Sequence, residues 1–262
     1  MTQPFIHQPH DLETLPHPIY FQARTMPSDT LYPAHSHNSG EFVYSFSGVL
    51  ELQAEGALFR VPPNYGLWLP SGVEHKGLNR RVSQHCSFYI ETELAKRKGL
   101  SNAPCALTIN AMVRAMLNHL RLHSPELPYN DADSRLLEVV VDQLATAPCA
   151  GSYLPVSDDP VLSKILAYLE QHPGDNASVK ELAEQAGSSE RTLARKAQRD
   201  LGMPLSEWRQ RLKVVRAMPM LEEGEKVESI ALDLGYSTAS AFIAMFRRLV
   251  TMTPDEYRKQ AG

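Results

Sequence analysis

Short apolar runs separated by turn residues fill the chain from about residue 18 to residue 92. Clear examples are Glu41–Phe46, Val49–Ala54 and Leu67–Leu69, which are rich in Val, Leu, Phe, Tyr and Trp. Glycine, proline and asparagine interrupt these runs, for instance at Gly48 and Gly56, as expected where strands end in turns. Many short strands joined by turns predict a β-barrel or a β-sandwich.

The hydrophobic period then changes from that of strands to that of helices. Apolar residues recur at spacings of one, three and four along Asn110–Arg121 and again along Asp133–Ala145, which predicts two amphipathic helices. Their apolar stripes have two possible roles. They either close the β domain of the same chain or face a second copy of the chain in a dimer.

A segment rich in Pro, Ser and Gly at 147–160 is typical of an interdomain linker. Beyond it the pattern is helical, and part of it is repeated at an offset of 48 residues. Each copy reads as a short helix with an alanine where a second helix crosses closely, followed by a glycine at the turn and a second helix. This is the pattern of a helix-turn-helix. The matched pairs are Val179 with Val227, Leu182 with Ile230, Ala183 with Ala231 and Gly187 with Gly235.

Composition and charge restrict the class of protein. The chain has 43% apolar and 21% charged residues and a net charge of −4, so nucleic-acid contact requires a local basic patch. Such a patch lies between Arg191 and Arg216, where eight basic residues stand against two acids. The three cysteines show no pairing pattern, and no run has the length of a signal peptide core or a membrane span. We therefore expect a cytoplasmic protein that does not bind membranes.

Four segments in the C-terminal part resemble the DNA-binding domain of AraC/XylS-type transcription regulators. They are 206–212 (SEWRQRL), 230–236 (IALDLGY), 240–248 (SAFIAMFRR) and 253–258 (TPDEYR). The resemblance implies seven helices with two helix-turn-helix units joined by a long helix at about 204–222, and two recognition helices at about 189–199 and 238–249. It also implies the residues that face DNA: Arg191, Ala194, Arg195 and Arg199 on the first helix, and Thr238, Ala239, Ser240, Ile243, Ala244, Arg247 and Arg248 on the second.

Arginine can contact guanine through two hydrogen bonds, so Arg191 and Arg195 are the residues we expect to read bases. Arg247 and Arg248 are expected on phosphates. Three positions depart from the family pattern. Pro219 lies inside the long helix, Ala197 stands where a large aromatic is usual, and Thr251 stands where glycine commonly ends the last recognition helix.

Histidines and a carboxylate cluster in the β region. The stretch His35-x-His37-x3-Glu41, with a later segment that contains His75, resembles the paired motifs of the cupin fold; Asn64 stands where the second motif usually has glycine. If that barrel forms, His35 and His37 share one face because they are two residues apart. Three imidazoles and a carboxylate suit Zn, Ni, Fe or Mn. The alternative is a polar pocket without metal. We expect Val43, Ser45, Trp68 and Val73 to line the same pocket.

The sequence thus predicts an α+β multidomain chain, with a cupin-like sensor domain at 1–92, a helical dimerisation or linker region at 93–157 and a double helix-turn-helix domain at 158–262. The function expected is a sequence-specific transcription regulator and not an enzyme. It would bind double-stranded promoter DNA and a small-molecule or metal effector, and we expect a homodimer. The alternative is a metal-dependent cupin enzyme, a dioxygenase or isomerase, with a helical appendage.

Overall fold

The computed structural model describes residues 5–6, 14–79 and 82–261. The chain divides into two compact units, residues 1–153 and 154–262. The division falls inside the segment at 147–160 that the sequence suggests as a linker. Among the described residues, none of the helices is long and apolar enough to cross a membrane.

The N-terminal unit contains two five-stranded sheets. Their strands are β1 (Phe5–Ile6), β2 (Ile19–Met26), β3 (Thr30–His35), β4 (Gly40–Ser45), β5 (Leu50–Ala54), β6 (Ala57–Val61), β7 (Tyr65–Leu69), β8 (His75–Asn79), β9 (Ser83–Ile90) and β10 (Cys105–Thr108). One sheet has the order β1-β3-β8-β5-β6 and the other β10-β7-β4-β9-β2. Neighbouring strands are antiparallel except for the parallel pair of β1 and β3, and this alternation of strands between two sheets is a jelly-roll order. The predicted β domain is confirmed, but within the described residues its sheets are open and do not close into a barrel.

Side chains on the second sheet alternate between two cores. Phe42, Trp68 and Phe88 lie on one face with the helices that follow, while Leu67 and Leu69 lie on the other with residues of the first sheet. Glu41 pairs with Leu69 and Tyr89 across the ladders, so it shares the face between the sheets. The strand register therefore decides which residues can reach a site between the sheets.

Three helices complete this unit: α1 (Thr92–Lys98), α2 (Ala111–Leu122) and α3 (Asp131–Thr146). Val113, Leu117 and Leu120 of α2 are buried in one core with Leu137 and Val140 of α3 and with the outer face of the second sheet. The two stripes thus cover the sheet of their own chain, which is the first of the two roles that the sequence allows. A dimer would have to use other surfaces than these stripes.

A disulfide joins Cys105 of β10 to Cys149, whereas Cys86 is free and buried. The sequence indicated three unpaired cysteines, and this expectation is wrong for Cys105 and Cys149. The pair is distant in sequence but the backbone brings it together, because residues 148–151 add hydrogen bonds along β10, with Ala150 N donating to Ala106 O at 2.9 Å.

The described part of the C-terminal unit has the seven helices that the sequence predicts. They are α4 (Pro160–Gln171), α5 (Val179–Gln185), α6 (Glu190–Leu201), α7 (Leu205–Glu222), α8 (Val227–Asp233), α9 (Ala239–Val250) and α10 (Pro254–Ala261). Ser178 and Glu181 form a reciprocal capping box at the start of α5. Gly187 and Gly235 both take the left-handed conformation, with φ of 66° and 77°, so the two turns of the repeat are built alike.

The positions that depart from the family pattern are accommodated as follows. Helix α7 continues through Pro219, which lies in its last turn. Ala197 is fully buried, so a small residue fills this core position. Thr251 ends α9 in the left-handed conformation, with φ of 66° and its N–H donating to Arg247 O at 2.9 Å. Asn64, by contrast, does not take a positive φ, so it is not a substitute for a left-handed glycine.

Candidate metal centre and nucleic-acid interface

Three imidazoles meet where the two sheets approach each other. His35 ends β3 and pairs with His75, the first residue of β8. His37 lies two residues beyond β3 in the loop to β4, so strand alternation does not place it, and the loop brings it to the same site. The ring centroids are 4.2 Å apart for His35 and His75, 4.8 Å for His35 and His37, and 5.3 Å for His37 and His75. Possible ligand atoms of all three lie within 4.8 Å of one another.

The Glu41 carboxylate joins this cluster from β4. Its Oε2 atom lies 3.3 Å from Nε2 of His37 and 3.4 Å from Nε2 of His75. Glu41 and His75 are only 6% and 5% exposed. His35 and His37 are half-buried. A carboxylate and three imidazoles so close together form a donor set that can hold a metal ion.

Backbone carbonyls orient two of the imidazoles. The Nδ1 atom of His35 lies 2.7 Å from Pro33 O, and Nδ1 of His75 lies 2.9 Å from Val73 O. In each case Nδ1–H can donate to the carbonyl two residues earlier, which fixes the tautomer and leaves Nε2 with a lone pair. Metal-binding histidines commonly donate their other ring N–H to a carbonyl or a carboxylate in this way, so the residues fit a metal ion.

The protonation states also suit metal binding. Burial lowers the pKa of His35, and the neighbouring His75 and His37 lower it further against the opposing bond to Pro33, so His35 is neutral at pH 7. Burial works to raise the pKa of Glu41, but hydrogen bonds from His37 and His75 outweigh it and the pKa is well below its usual range. The pKa of His75 is raised because the bonds to Glu41 outweigh burial. A metal would displace any proton held there.

The predicted pocket residues fall into two groups. Val43 and Ser45 are buried on the face of β4 that also carries Glu41, and Val73 packs against the core between the sheets. Trp68 pairs with Phe42 and lies on the opposite face, where its Nε1 donates to Ser101 O at 2.8 Å. Trp68 therefore belongs to the core under the helices and does not line this pocket.

Polar residues of β9 and β2 border the site and were not assigned to it from the sequence. Tyr89 and Ser87 share the inner face with Glu41, and the Tyr89 ring contacts that of His37 edge-to-face at 5.3 Å. Burial raises the pKa of Tyr89, and the Glu41 charge adds to this effect. Gln22 and Arg24 continue the same face on β2. The sequence signal was present in the alternation of Ser87 and Tyr89 with the apolar Cys86, Phe88 and Ile90.

The first recognition helix, α6, presents the expected residues to solvent. Leu193, Ala197 and Leu201 bury its inner side. Arg191, Ala194 and Arg195 are exposed together on the outer side. Within the described part of the chain, neither guanidinium makes an ion pair or a hydrogen bond. Both arginines are therefore available to an external partner.

Most of the basic segment from Arg191 to Arg216 has internal partners instead. The Lys196 ammonium lies 2.7 Å from Asp159, and Arg199 pairs with Asp200 at 2.5 Å. The other four basic residues bind within the unit as well. Arg209 donates to Ala177 O and Asp175 O, Arg211 pairs with Glu207, Lys213 is buried, and Arg216 donates to Glu170 O. The local charge excess is thus mainly structural and is a weaker sign of phosphate binding than the sequence indicates.

The second recognition helix, α9, presents short side chains. Thr238 caps it by accepting from Ala241 N at 3.3 Å. Ser240 and Ala244 are exposed, and Ala239 and Ile243 are half-buried on the same side. At the end of the helix, Arg247 and Arg248 are exposed, with Arg248 donating to Gln210. This surface offers small apolar groups and hydroxyls along the helix and cations at its end.

Comparisons with known proteins agree with these elements. Residues 182–260 match a family described as a helix-turn-helix domain. The HTH-type transcriptional regulator NimR of Escherichia coli (strain K12) is 29% identical over 225 residues, which are 86% of this chain and 81% of NimR. A Streptomyces antibioticus protein named as an AraC-like transcription regulator is 32% identical over 145 residues, and the match covers 55% of this chain but only 48% of that protein.

A solved structure of ToxT from Vibrio cholerae covers 94% of this chain and 99% of its own, with a TM-score of 0.40 and 14% identity. At this TM-score it adds nothing to the fold described above. The C-terminal unit is a DNA-binding domain of the helix-turn-helix class. Together with these relatives, this domain supports the prediction that the chain is an AraC-type transcription regulator. The prediction that the chain is not an enzyme is confirmed, because the relatives are transcription regulators.

Proposed function

We propose that the chain is a one-component transcription regulator in which the C-terminal unit reads promoter DNA and the N-terminal unit, a cupin-like domain, binds an effector. The observation that carries the DNA-reading part is the pair of recognition helices with outward-facing side chains, among which Arg191 and Arg195 are exposed. Arg191 and Arg195 read guanine edges from α6, and α9 fits the groove through methyl groups and hydroxyls. Arg247 and Arg248 hold phosphates.

The test begins with selection of duplexes from a random 30-bp library by the wild-type chain, followed by affinity measurements on the enriched duplex. Arg195→Ala is expected to cost about 1–3 kcal/mol on that duplex and to relax preference at one base pair. Arg135→Ala, at an exposed position of α3 in the N-terminal unit, removes the same charge from outside the helix-turn-helix units and should change neither. Unchanged selectivity of Arg195→Ala would refute its role in base reading.

The effector-binding part of the proposal is a divalent transition metal (Zn, Ni, Fe or Mn) held by His35, His37, His75 and Glu41. It is supported by the donor set and by the carbonyls that orient His35 and His75. When bound, such an ion supplies a Lewis acid to which an oxygen or nitrogen of a small effector can attach. The chain's own residues exclude water through burial and offer Tyr89 and Ser87 as hydrogen-bonding partners for that effector.

Elemental analysis of purified protein checks the metal. Wild type should carry close to one ion per chain, and His35→Ala should carry much less. His119→Ala provides the control, because His119 is an exposed histidine of α2 that is not part of the cluster. An equally low metal content in wild type and His35→Ala would leave the alternative, a pocket whose histidines only hydrogen-bond the effector.

A homodimer is also part of the proposal, because regulators often bind paired DNA elements with two copies. Its contact would lie outside the buried stripes of α2 and α3. Exposed Met112 and Val139 on these helices are candidates, with 52% and 38% exposure. Light scattering of the full chain measures the state, and Met112→Lys with Val139→Lys should give the monomer mass if these residues form the contact.

A further inference from the structure

The two helix-turn-helix units are joined by the long helix α7, and they also contact each other directly through two turns. The turn between α4 and α5 contacts the turn between α8 and α9, and the backbones approach so closely that side chains do not fit. A Cβ atom on Gly174 would lie 2.4 Å from Asp233 O, and one on Gly235 would lie 2.1 Å from Gly174 O. We call the contact of Gly174 and Asn176 with Gly235 the turn bracket.

Hydrogen bonds hold the bracket from both sides. Asn176 Nδ2 donates to Gly235 O at 2.6 Å. On the first turn, Arg209 of α7 donates to the carbonyls of Ala177 and Asp175. The bracket is thus attached to the joining helix as well as to both turns.

A lysine and a tyrosine fill the space behind the bracket. The Lys213 ammonium of α7 lies 4.7 Å above the centre of the Tyr236 ring and 3.5 Å from Asn176 Oδ1. Tyr236 in turn packs edge-to-face on Phe242 at 5.8 Å, and Phe242 is buried in α9. A continuous set of contacts therefore runs from the first turn to the second recognition helix.

The repeat shows that this contact is not a general requirement of the motif. Gly187 occupies in the first unit the position that Gly235 occupies in the second, with a similar φ, yet a Cβ on Gly187 would meet no atom within 4 Å. Both glycines satisfy the left-handed turn, but only Gly235 must also admit another backbone. The close approach is therefore an additional feature of the second turn.

We propose that the turn bracket fixes the angle between α6 and α9, and so allows both recognition helices to engage one duplex at the same time. This inference rests on the proposed DNA-binding function. Two linked reading elements gain affinity from their effective concentration, and that gain depends on how well the link holds their geometry. Gly174, Asn176 and Gly235 are positioning residues, because they act on DNA binding only through the helices.

The experiment compares Gly235→Ala, Asn176→Ala and the control Gly187→Ala in the full chain. The probes are the duplex selected by wild type and two derivatives of it. The selected duplex carries one DNA element for each recognition helix, and each derivative has one of these two DNA elements randomised. Gly235→Ala and Asn176→Ala should lose at least about tenfold in affinity for the two-element duplex while binding the single-element duplexes as wild type does. Gly187→Ala adds a methyl group in the same left-handed conformation without the clash, so the ratio of two-element to single-element affinity should remain that of wild type.

A second measurement does not depend on DNA. A label pair at the exposed Gln198 of α6 and Ala241 of α9, introduced as unnatural amino acids, reports the distance between the recognition helices. The distance distribution should broaden in Gly235→Ala and Asn176→Ala but not in Gly187→Ala. The proposal that the turn bracket fixes the angle between α6 and α9 would be refuted by unchanged distance distributions in the variants. It would also be refuted if Asn176→Ala kept the wild-type ratio of two-element to single-element affinity. Failure of wild type to enrich any duplex would instead overturn DNA binding, with the distance result still standing.

Discussion

The buried ammonium of Lys213 makes the stability of the C-terminal unit depend on pH. The residue is 6% exposed, and burial lowers its pKa from 10.5 to about 8, with the nearby Arg209 adding to the effect against the opposing charge of Asp175. Below pH 8 the ammonium is charged in the folded and unfolded states, so the full cost of burying it is present. Between pH 8 and 10.5 the unfolded state binds more protons, so the free energy of unfolding rises with pH.

The size of this cost follows from the pKa shift. A change from 10.5 to about 8 corresponds to about 3 kcal/mol at about 1.4 kcal/mol per pH unit. The contact with the Tyr236 ring offsets part of it, by about 1–2 kcal/mol for a desolvated cation. The Asn176 contact is at the limit of a hydrogen bond and adds little. Lys213→Met keeps most of the packing stem and removes the charge, so it should stabilise the unit by about 1 kcal/mol at pH 7.

Thermal unfolding followed by Trp208 fluorescence measures the effect. Trp208 is buried in the C-terminal unit, and a Trp68→Phe background makes it the single tryptophan reporter. At pH 7 the midpoint of Lys213→Met should be roughly 5 °C above that of the background. Because the folded background gains stability as the pH rises above about 8, the difference should fall to zero before about pH 10 and then reverse. Lys180→Met, which removes an ammonium that is 70% exposed, should show neither change. A lower midpoint for Lys213→Met at pH 7 would refute the reasoning, because the ammonium would then stabilise the fold.

Two further predictions concern the backbone. Thr251→Gly should raise the free energy of unfolding by about 0.5–1 kcal/mol, since it removes the strain of a β-branched residue at φ 66° but costs chain entropy. Denaturant titration measures the change, with Thr146→Gly, at a site in α3 without positive φ, as the control. Destabilisation by Thr251→Gly would contradict the prediction. Gly40→Ala should destabilise the N-terminal unit by about 1–3 kcal/mol, because its Cβ would lie 2.2 Å from the Trp68 indole. Gly77→Ala, also in a strand and without positive φ, is the control, because its Cβ would come no closer than 3.3 Å to another atom. Its loss in denaturant titration should be smaller, and equal losses would refute the clash.

The sequence predicted where the helices and strands lie better than it predicted which distant segments contact each other. The helices α6, α7 and α9 begin and end within two residues of the bounds that the resemblance to AraC/XylS-type regulators implies. The expected closure of the sheets into a barrel is not found in the described residues, and the pairing of Cys105 with Cys149 was not predicted, since both depend on contacts between distant segments. Trp68 was assigned to the pocket as an aromatic wall, with a place in the core as the alternative. The structure has it in the core, because its side of the sheet depends on the strand register.

The structure brings together the three histidines and the carboxylate that the sequence grouped, but by a different geometry from the one expected. Residue type and spacing brought His35, His37 and Glu41 together, and His75 was added through resemblance. The sequence could not show that β3 ends at His35 or that a loop carries His37. Neither could it show that Pro33 and Val73 supply the carbonyls that orient two of the rings, because any residue can offer a carbonyl.

The C-terminal unit carries less free positive charge than the basic segment from Arg191 to Arg216 indicates, and this affects how the chain would bind DNA. Residues 154–262 contain fifteen Lys and Arg against sixteen Asp and Glu, a net charge of −1. Six of the eight basic residues between Arg191 and Arg216 are engaged within the unit or buried. Attraction to DNA must therefore come from a few arginines at the reading surface and not from the unit as a whole. Since counterion release scales with phosphate contacts, non-specific binding should be weak. Specific binding then depends on shape and on both helices acting together, which gives the angle between α6 and α9 more weight than it would have in a strongly basic domain.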